Sequence, residues 1–244
     1  MAKVKRHDGR RAGELRPVTI TPGFVPSADG SCLIETGNTR VICTASFCPG
    51  VSQWRAESGL GWVTAEYGML PASTGTRRPR PALKADSRSI EIQRIIGRVL
   101  RNVVRFDRLG PNTIVLDCDV LQADGSTRTA SITGAYVALA LATGRSAKAG
   151  LCARSVTAGQ VAAVSVGIVD GQTVLDLNYA EDSNAQVDMN VAMLRGDNLV
   201  EVQASSEQTP FTHEQFQQML ALARRGIGRL FGIQRNAIRK GLKC

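Results

Sequence analysis

Between residues 113 and 121, TIVLDCDVL, the apolar residues Ile114, Leu116, Cys118 and Val120 alternate with Asp117 and Asp119. A two-residue period of this kind marks a half-buried strand. SCLIETGNTRVICTASF (31–47) gives two β-rich runs around Gly37-Asn38 and reads as a hairpin. LGWVTAEYGML (60–70) predicts another strand and its exit, and VAAVSVGIVDGQTVLDLNY (161–179) a hairpin around Asp170-Gly171. DMNVAML and LVEVQA (188–194 and 199–204) form a further pair around Gly196-Asp197-Asn198. The period becomes helical in SIEIQRIIGRVLRNVVRF (89–106), where Ile92, Ile96, Val99 and Val103 line one face. Arg94, Arg98, Arg101 and Arg105 line the opposite one, which reads as a solvated face. A last helix opens with Thr212 and Gln215 as a capping box and Phe211 and Phe216 as a hydrophobic staple. Its apolar positions include Phe216, Met219, Leu220, Ala223, Ile227 and Phe231.

PASTGTRRPRPALKADSR (71–88) fits neither period. Pro71, Pro79 and Pro81 forbid a regular helix, and Arg77, Arg78, Arg80, Lys84 and Arg88 stand against one acid, Asp86. This is a long basic loop. Each half of the chain, about 15–145 and 155–235, holds a hairpin and later an amphipathic helix, the pattern of an ancient duplication, although the residues do not repeat. The expectation is an α+β fold in which residues 1–244 form a single domain with one sheet-rich core and no detachable second domain.

A chain of 244 residues can bury a sizeable core. No apolar run approaches the ~20 residues of a membrane span. The N-terminal MAKVKRHDGRR lacks an apolar signal core, so a cytoplasmic location is expected. Six cysteines without a CxxC pair and with mostly apolar neighbours predict reduced, largely buried thiols. With only His7 and His213, a multi-histidine metal site is excluded, and catalysis must rest on carboxylates, arginines and bound ions. A net charge of +9 favours a polyanionic partner.

Three polar features stand out. In LQADGSTRTASITGAYVALALATG (121–144), Gly125-Ser126-Thr127-Arg128 falls where a turn becomes a helix. A helix start attracts anions, and Arg128 would add a bidentate fork for phosphate or carboxylate. The alternative is capping by Ser126, Thr127 or Thr129, with Arg128 solvated. Arg88, between the basic loop and a helix, is a second possible anion contact. In YAEDSNAQVDMNVAM (179–193), Glu181, Asp182 and Asp188 cluster at a strand start, with Asp188 and Asn190 opposite the core-facing Met189, Val191 and Met193. Loosely spaced carboxylates suit Mg²⁺, which takes one or two of them plus waters and substrate phosphates. They equally suit a hydrated turn cap. No Walker A loop is present, so these are not parts of a P-loop NTPase.

The stretches RPVTI, GWVTAEYGMLPAST, EIQRIIGRVLR, LDCDVLQADGSTRTASITGA, VAAVSVGIV, NYAEDSNAQVDMNV and PFTHEQ lie within a likeness that extends from about residue 5 to residue 232. Together they resemble the ribonuclease PH family of phosphate-dependent 3′–5′ exoribonucleases. LQADGSTRTASITGA and AEYGMLP are the most specific, and Ser126 departs from a family pattern that usually has a second Gly there. The resemblance implies a two-lobed core with mixed sheets and packed helices, assembled as a homohexamer, a trimer of dimers. It implies trimming of tRNA precursors and other structured RNA with 3′ extensions, using inorganic phosphate as co-substrate and Mg²⁺, with nucleoside diphosphates released and a reverse reaction that adds nucleotides. Carried over residue by residue, phosphate ligands fall on Arg88, Ser126, Thr127 and Arg128. The acids for Mg²⁺ binding and catalysis fall on Asp182 and Asp188. RNA contacts fall on Arg77 and Arg80, with Arg78 an added basic neighbour. Chains of this fold also serve as catalytically inert RNA-binding ring subunits. The joint presence of Arg88, Arg128, Asp182 and Asp188 favours the enzyme.

Overall fold

The computed structural model describes residues 6–79 and 86–243. The first half comprises β1 (Val18–Pro22), β2 (Gly30–Thr36), β3 (Thr39–Pro49), α1 (Gln53–Ala56), β4 (Trp62–Met69), α2 (Ser87–Arg101), α3 (Phe106–Leu109), β5 (Asn112–Gln122) and α4 (Thr127–Lys148). The second comprises β6 (Val161–Val169), β7 (Gln172–Leu175), α5 (Tyr179–Asp182), β8 (Val187–Leu194), β9 (Leu199–Ser206) and α6 (His213–Gly241). The first sheet has the order β1-β2-β3-β5-β4 and is mixed, because β4 and β5 run parallel. The second, β7-β6-β8-β9, is antiparallel throughout.

The predicted hairpins form where their turn residues allow them. Thr36 pairs with Thr39 across Gly37-Asn38. Val169 pairs with Gln172 across Asp170 and Gly171, whose φ angles of 48° and 72° are those a tight primed turn demands. The capping box of Thr212 and Gln215 is present at the start of α6.

Helix α4 lies against β2 and β3 on one side and β6 on the other. Residues 129–139 are all buried, as expected of a helix enclosed by two layers. Small residues make this possible. A Cβ on Gly134 would stand 2.7 Å from Cys43 Sγ and 2.8 Å from Ile34 Cγ2. The first sheet packs with α2 and α4, and most of the second with α6, while Ile233 touches both groups. Buried Gln234 of α6 ties the parts together. Its Nε2 donates to the carbonyls of Thr133 and Val161, both at 2.9 Å, and its Oε1 accepts from Gln160 Nε2 at 2.8 Å.

Two expectations are corrected. The α2 helix ends at Arg101, short of Phe106, because Val104 forms a bridge with Thr157 and the Arg105 N–H donates to Val156 O at 2.8 Å. The arginine stripe is therefore not one solvated face. Arg98 pairs with Glu201 at 2.7 Å, and Arg101 lies over the Trp62 ring while donating to Val63 O at 3.2 Å. The N-terminal segment is tied down: Arg6 and Arg16 are 5% and 4% exposed. Arg6 grips Glu181 through two bonds of 2.6 Å, and Arg16 pairs with Asp176 at 2.7 Å. Among the described residues, five cysteines are free, with Cys32, Cys43 and Cys118 buried side by side under α4.

Candidate functional site

The turn between β5 and α4 forms one wall of a cleft. Gly125 has φ 73°, and a Cβ there would stand 2.7 Å from Leu177 O and from the Asn178 carbonyl carbon. Only glycine lets the turn rest on the segment that enters α5. Ser126 follows with φ 57°, also left-handed, and its side chain does not cap α4. Instead its hydroxyl lies 2.6 Å from Ser165 Oγ and donates to Leu177 O at 2.9 Å. Thr127 Oγ1 accepts from the Tyr67 hydroxyl at 2.9 Å, and Thr129 Oγ1 donates to Ser126 O at 3.0 Å. The capping alternative thus fails. With no side-chain cap, the start of α4 keeps backbone N–H groups and the positive dipole end for an anion.

Arg128 is not solvated either; its side chain is 16% exposed. Its guanidinium donates to Gln203 Oε1 and stands 3.8 Å from Glu91, while Gln203 Nε2 donates to Glu91 at 3.1 Å. These β9 and α2 partners hold the fork at the cleft wall. Arg88, in the first turn of α2, reaches the same cleft, and its guanidinium makes no ion pair or hydrogen bond among the described residues.

The opposite wall carries the acids. Helix α5 is a single turn whose Asn178 and Glu181 form a capping box. Glu181, grouped by sequence with Asp182 and Asp188, is buried beneath the helix and clamped by Arg6, so it belongs to the scaffold. Asp182, the next residue, opens into the cleft. On β8, Asp188 and Asn190 share the face away from the core, as the alternation predicts. Asn190 Nδ2 donates to Asp188 Oδ2 at 3.1 Å, whereas Asp188 Oδ1 is buried and has no hydrogen-bond partner among the described residues.

A cleft of about 480 Å³ brings together Arg88, Ser126, Thr127, Arg128, Asp182 and Asp188, with Arg78, Tyr179, Ser165 and Asn190 also in its lining. Burial, then the charge of Asp182, pushes the Asp188 carboxyl from 3.8 up to about 6. Burial also raises Asp182, against the pull of Arg88 and Arg128. Two desolvated carboxylates, one with an orphaned oxygen, form a donor set that suits a hard divalent cation. Among the described residues no group of three or more His, Cys, Asp or Glu could hold a metal, so a cation at these two acids would draw its other ligands from water and substrate.

In the basic loop, Arg78 joins the cleft lining and pairs with Asp86 at 3.3 Å. Arg77 is exposed outside that lining. Arg80 and Lys84 lie outside the described residues. Sequence reasoning passed over Tyr179, Tyr67, Ser165, Gln203 and Glu91. Only Tyr179 had a local signal, its three-residue spacing from Asp182, which puts both on one side of a helical turn. The others arrive through long-range packing.

Residues 14–143 match the 3′ exoribonuclease family, domain 1, and residues 159–226 match domain 2 of the same family. The ribonuclease PH of Neisseria meningitidis serogroup C (strain FAM18) is 50% identical over 231 residues, covering 94% of this chain and 96% of that protein. The ribonuclease PH of Bifidobacterium longum (strain NCC 2705) is 51% identical over 240 residues, covering 97% of each. Among solved structures, Rrp46 of rice (Oryza sativa) superposes with a TM-score of 0.77 at 19% identity, covering 96% of this chain and all of that one. The Archaeoglobus fulgidus exosome with RNA bound to the active site gives 0.81 at 23% identity, covering 94% and 92%. These two likenesses are of fold.

Proposed function

The chain belongs to the ribonuclease PH family of 3′ exoribonucleases, and from that membership we propose how its cleft works. It is a phosphorolytic 3′–5′ exoribonuclease, a tRNA nucleotidyltransferase that shortens tRNA precursors. The observation that supports the site assignment is one cleft in which Arg88, Arg128 and the open start of α4 face Asp182 and Asp188.

Inorganic phosphate binds at Arg88, Ser126, Thr127 and Arg128, where two guanidinium groups and the helix start offset the repulsion between two anions. Held there, it attacks the phosphorus of the last internucleotide link. A phosphorus–oxygen bond forms, the bond to the preceding 3′-oxygen breaks, and that oxygen takes a proton. A nucleoside diphosphate leaves, with RNA one residue shorter. Fixing the two reactants in line supplies much of the rate, and no covalent enzyme intermediate is needed. Asp182 and Asp188 would hold Mg²⁺, which when bound neutralises charge on the scissile phosphate and the leaving oxygen. Arg77, Arg78 and Arg80 hold the RNA upstream. The protein works in the cytoplasm as a homohexameric ring; among the described residues no helix is long and apolar enough to cross a membrane.

The test is to incubate the protein with 3′-extended tRNA, with and without phosphate, and identify the nucleotide released. Diphosphates that vanish in phosphate-free buffer are expected. Monophosphates released at an equal rate without phosphate would overturn the reading.

A further inference from the structure

Tyr179 is the one large aromatic side chain of the cleft left open to water among the described residues. It is 66% exposed, and its hydroxyl makes no hydrogen bond among them. Core packing therefore does not account for it. Its backbone, by contrast, is tightly held. Its N–H donates to Asp124 Oδ1 at 3.2 Å, a Cβ on Gly125 would stand 2.8 Å from its nitrogen, and the capping box of Asn178 and Glu181 closes the turn it begins. Beneath it, the Arg6 clamp on Glu181 anchors the same turn to the second sheet's edge.

An aromatic ring on a fixed backbone, open to a polar cleft, is a surface for another π-system. Its position says which one. Tyr179 and Asp182 stand three residues apart on one helical turn, a rise of about 4.5 Å. That is within the reach of a single nucleotide whose phosphate lies at the carboxylates. We propose that Tyr179 is the stacking platform for the base of the 3′-terminal nucleotide, the residue that departs as a nucleoside diphosphate. The proposal rests on the scissile phosphate lying at Asp182 and Asp188. Every base has a π-face, so the ring holds any terminal nucleotide without reading its edge. An exonuclease that removes successive residues of differing identity needs that tolerance.

The experiment measures kcat and KM for phosphorolysis of two oligonucleotides, one natural and one whose 3′-terminal residue lacks its base. Wild type, Tyr179→Ala and Tyr179→Phe are compared at saturating phosphate. Stacking is uniform binding, so Tyr179→Ala should raise the KM for natural RNA about ten-fold while kcat stays within about two-fold. Tyr179→Phe should restore the wild-type KM. The wild type should lose a similar factor on the baseless end, where Tyr179→Ala loses nothing more. An unchanged KM in Tyr179→Ala, failure of Phe to rescue, or a defect that persists on the baseless end overturns the proposal. The wild-type comparison of the two ends holds even if a variant folds poorly. Failure of the catalytic reading looks different: natural RNA is then not phosphorolysed at all.

Discussion

The Arg128 guanidinium is already held in place, by Gln203 and beside Glu91. Holding a planar fork in place lowers the entropy lost on binding, and an ammonium cannot reproduce its geometry. Arg128→Lys should therefore raise the phosphate KM about ten-fold or more while RNA affinity stays near wild type. Phosphate titrations of the initial rate check this, and a wild-type phosphate KM contradicts it. Asp188 carries a different cost. Between 3.8 and about 6 the folded chain keeps a proton that the unfolded chain has released, so stability falls as pH rises through that window. Asp188→Asn, studied with chelator present, should be more stable than wild type above pH 6, by on the order of 2 kcal/mol in denaturant unfolding. The difference should vanish near pH 4, and turnover should be lost although RNA still binds. A folded Asp188→Asn protein with normal turnover would sink the catalytic assignment.

Helix α5 is too short to persist alone. It is kept by its capping box from within and by Arg6 from 175 residues away. Arg6→Met leaves a buried carboxylate without its main partner, which should cost about 3 kcal/mol or more. The melting temperature should fall by on the order of 10 °C, and activity should fall further as Asp182 loses its footing. Adding Glu181→Gln, which removes the stranded charge and keeps an acceptor for the cap, should recover part of the stability. Thermal melts of the single and double variants measure both. This clamp marks where sequence reading stops. The hairpins, the α6 cap and the inward faces of α2 and β5 were legible because turn residues and periodicity act within a few positions. The roles of Arg6, Arg10 and Arg16 carry no local signal because their acids, Asp176 and Glu181, lie far along the chain. Glu181 and Asp182 looked equivalent side by side, and only packing sends one beneath the helix and the other into the cleft. Likewise capping stood as an alternative for Ser126 and Thr127 until their partners on β4, β6 and the approach to α5 were placed.

For the whole molecule, the excess of positive charge sets how it meets RNA. Replacing Arg77 and Arg78 with Ala should weaken tRNA binding without altering the phosphate KM. Each lost phosphate contact should reduce the log–log salt slope by roughly 0.7. Affinities measured from low to moderate salt test it, and an unchanged slope assigns these arginines to another duty. The division of the cleft between halves has its own outcome. Arg88 and the Ser126–Arg128 turn come from the first half, and Asp182 and Asp188 from the second. On the ribosome the anion-holding wall is made first, and the acids follow more than fifty residues later. A chain that stops short of Asp182 has only one of the two walls, and the second sheet gains its α6 packing only once residues 213–241 are made. The cleft is thus a product of the finished chain, assembled only when both halves are present.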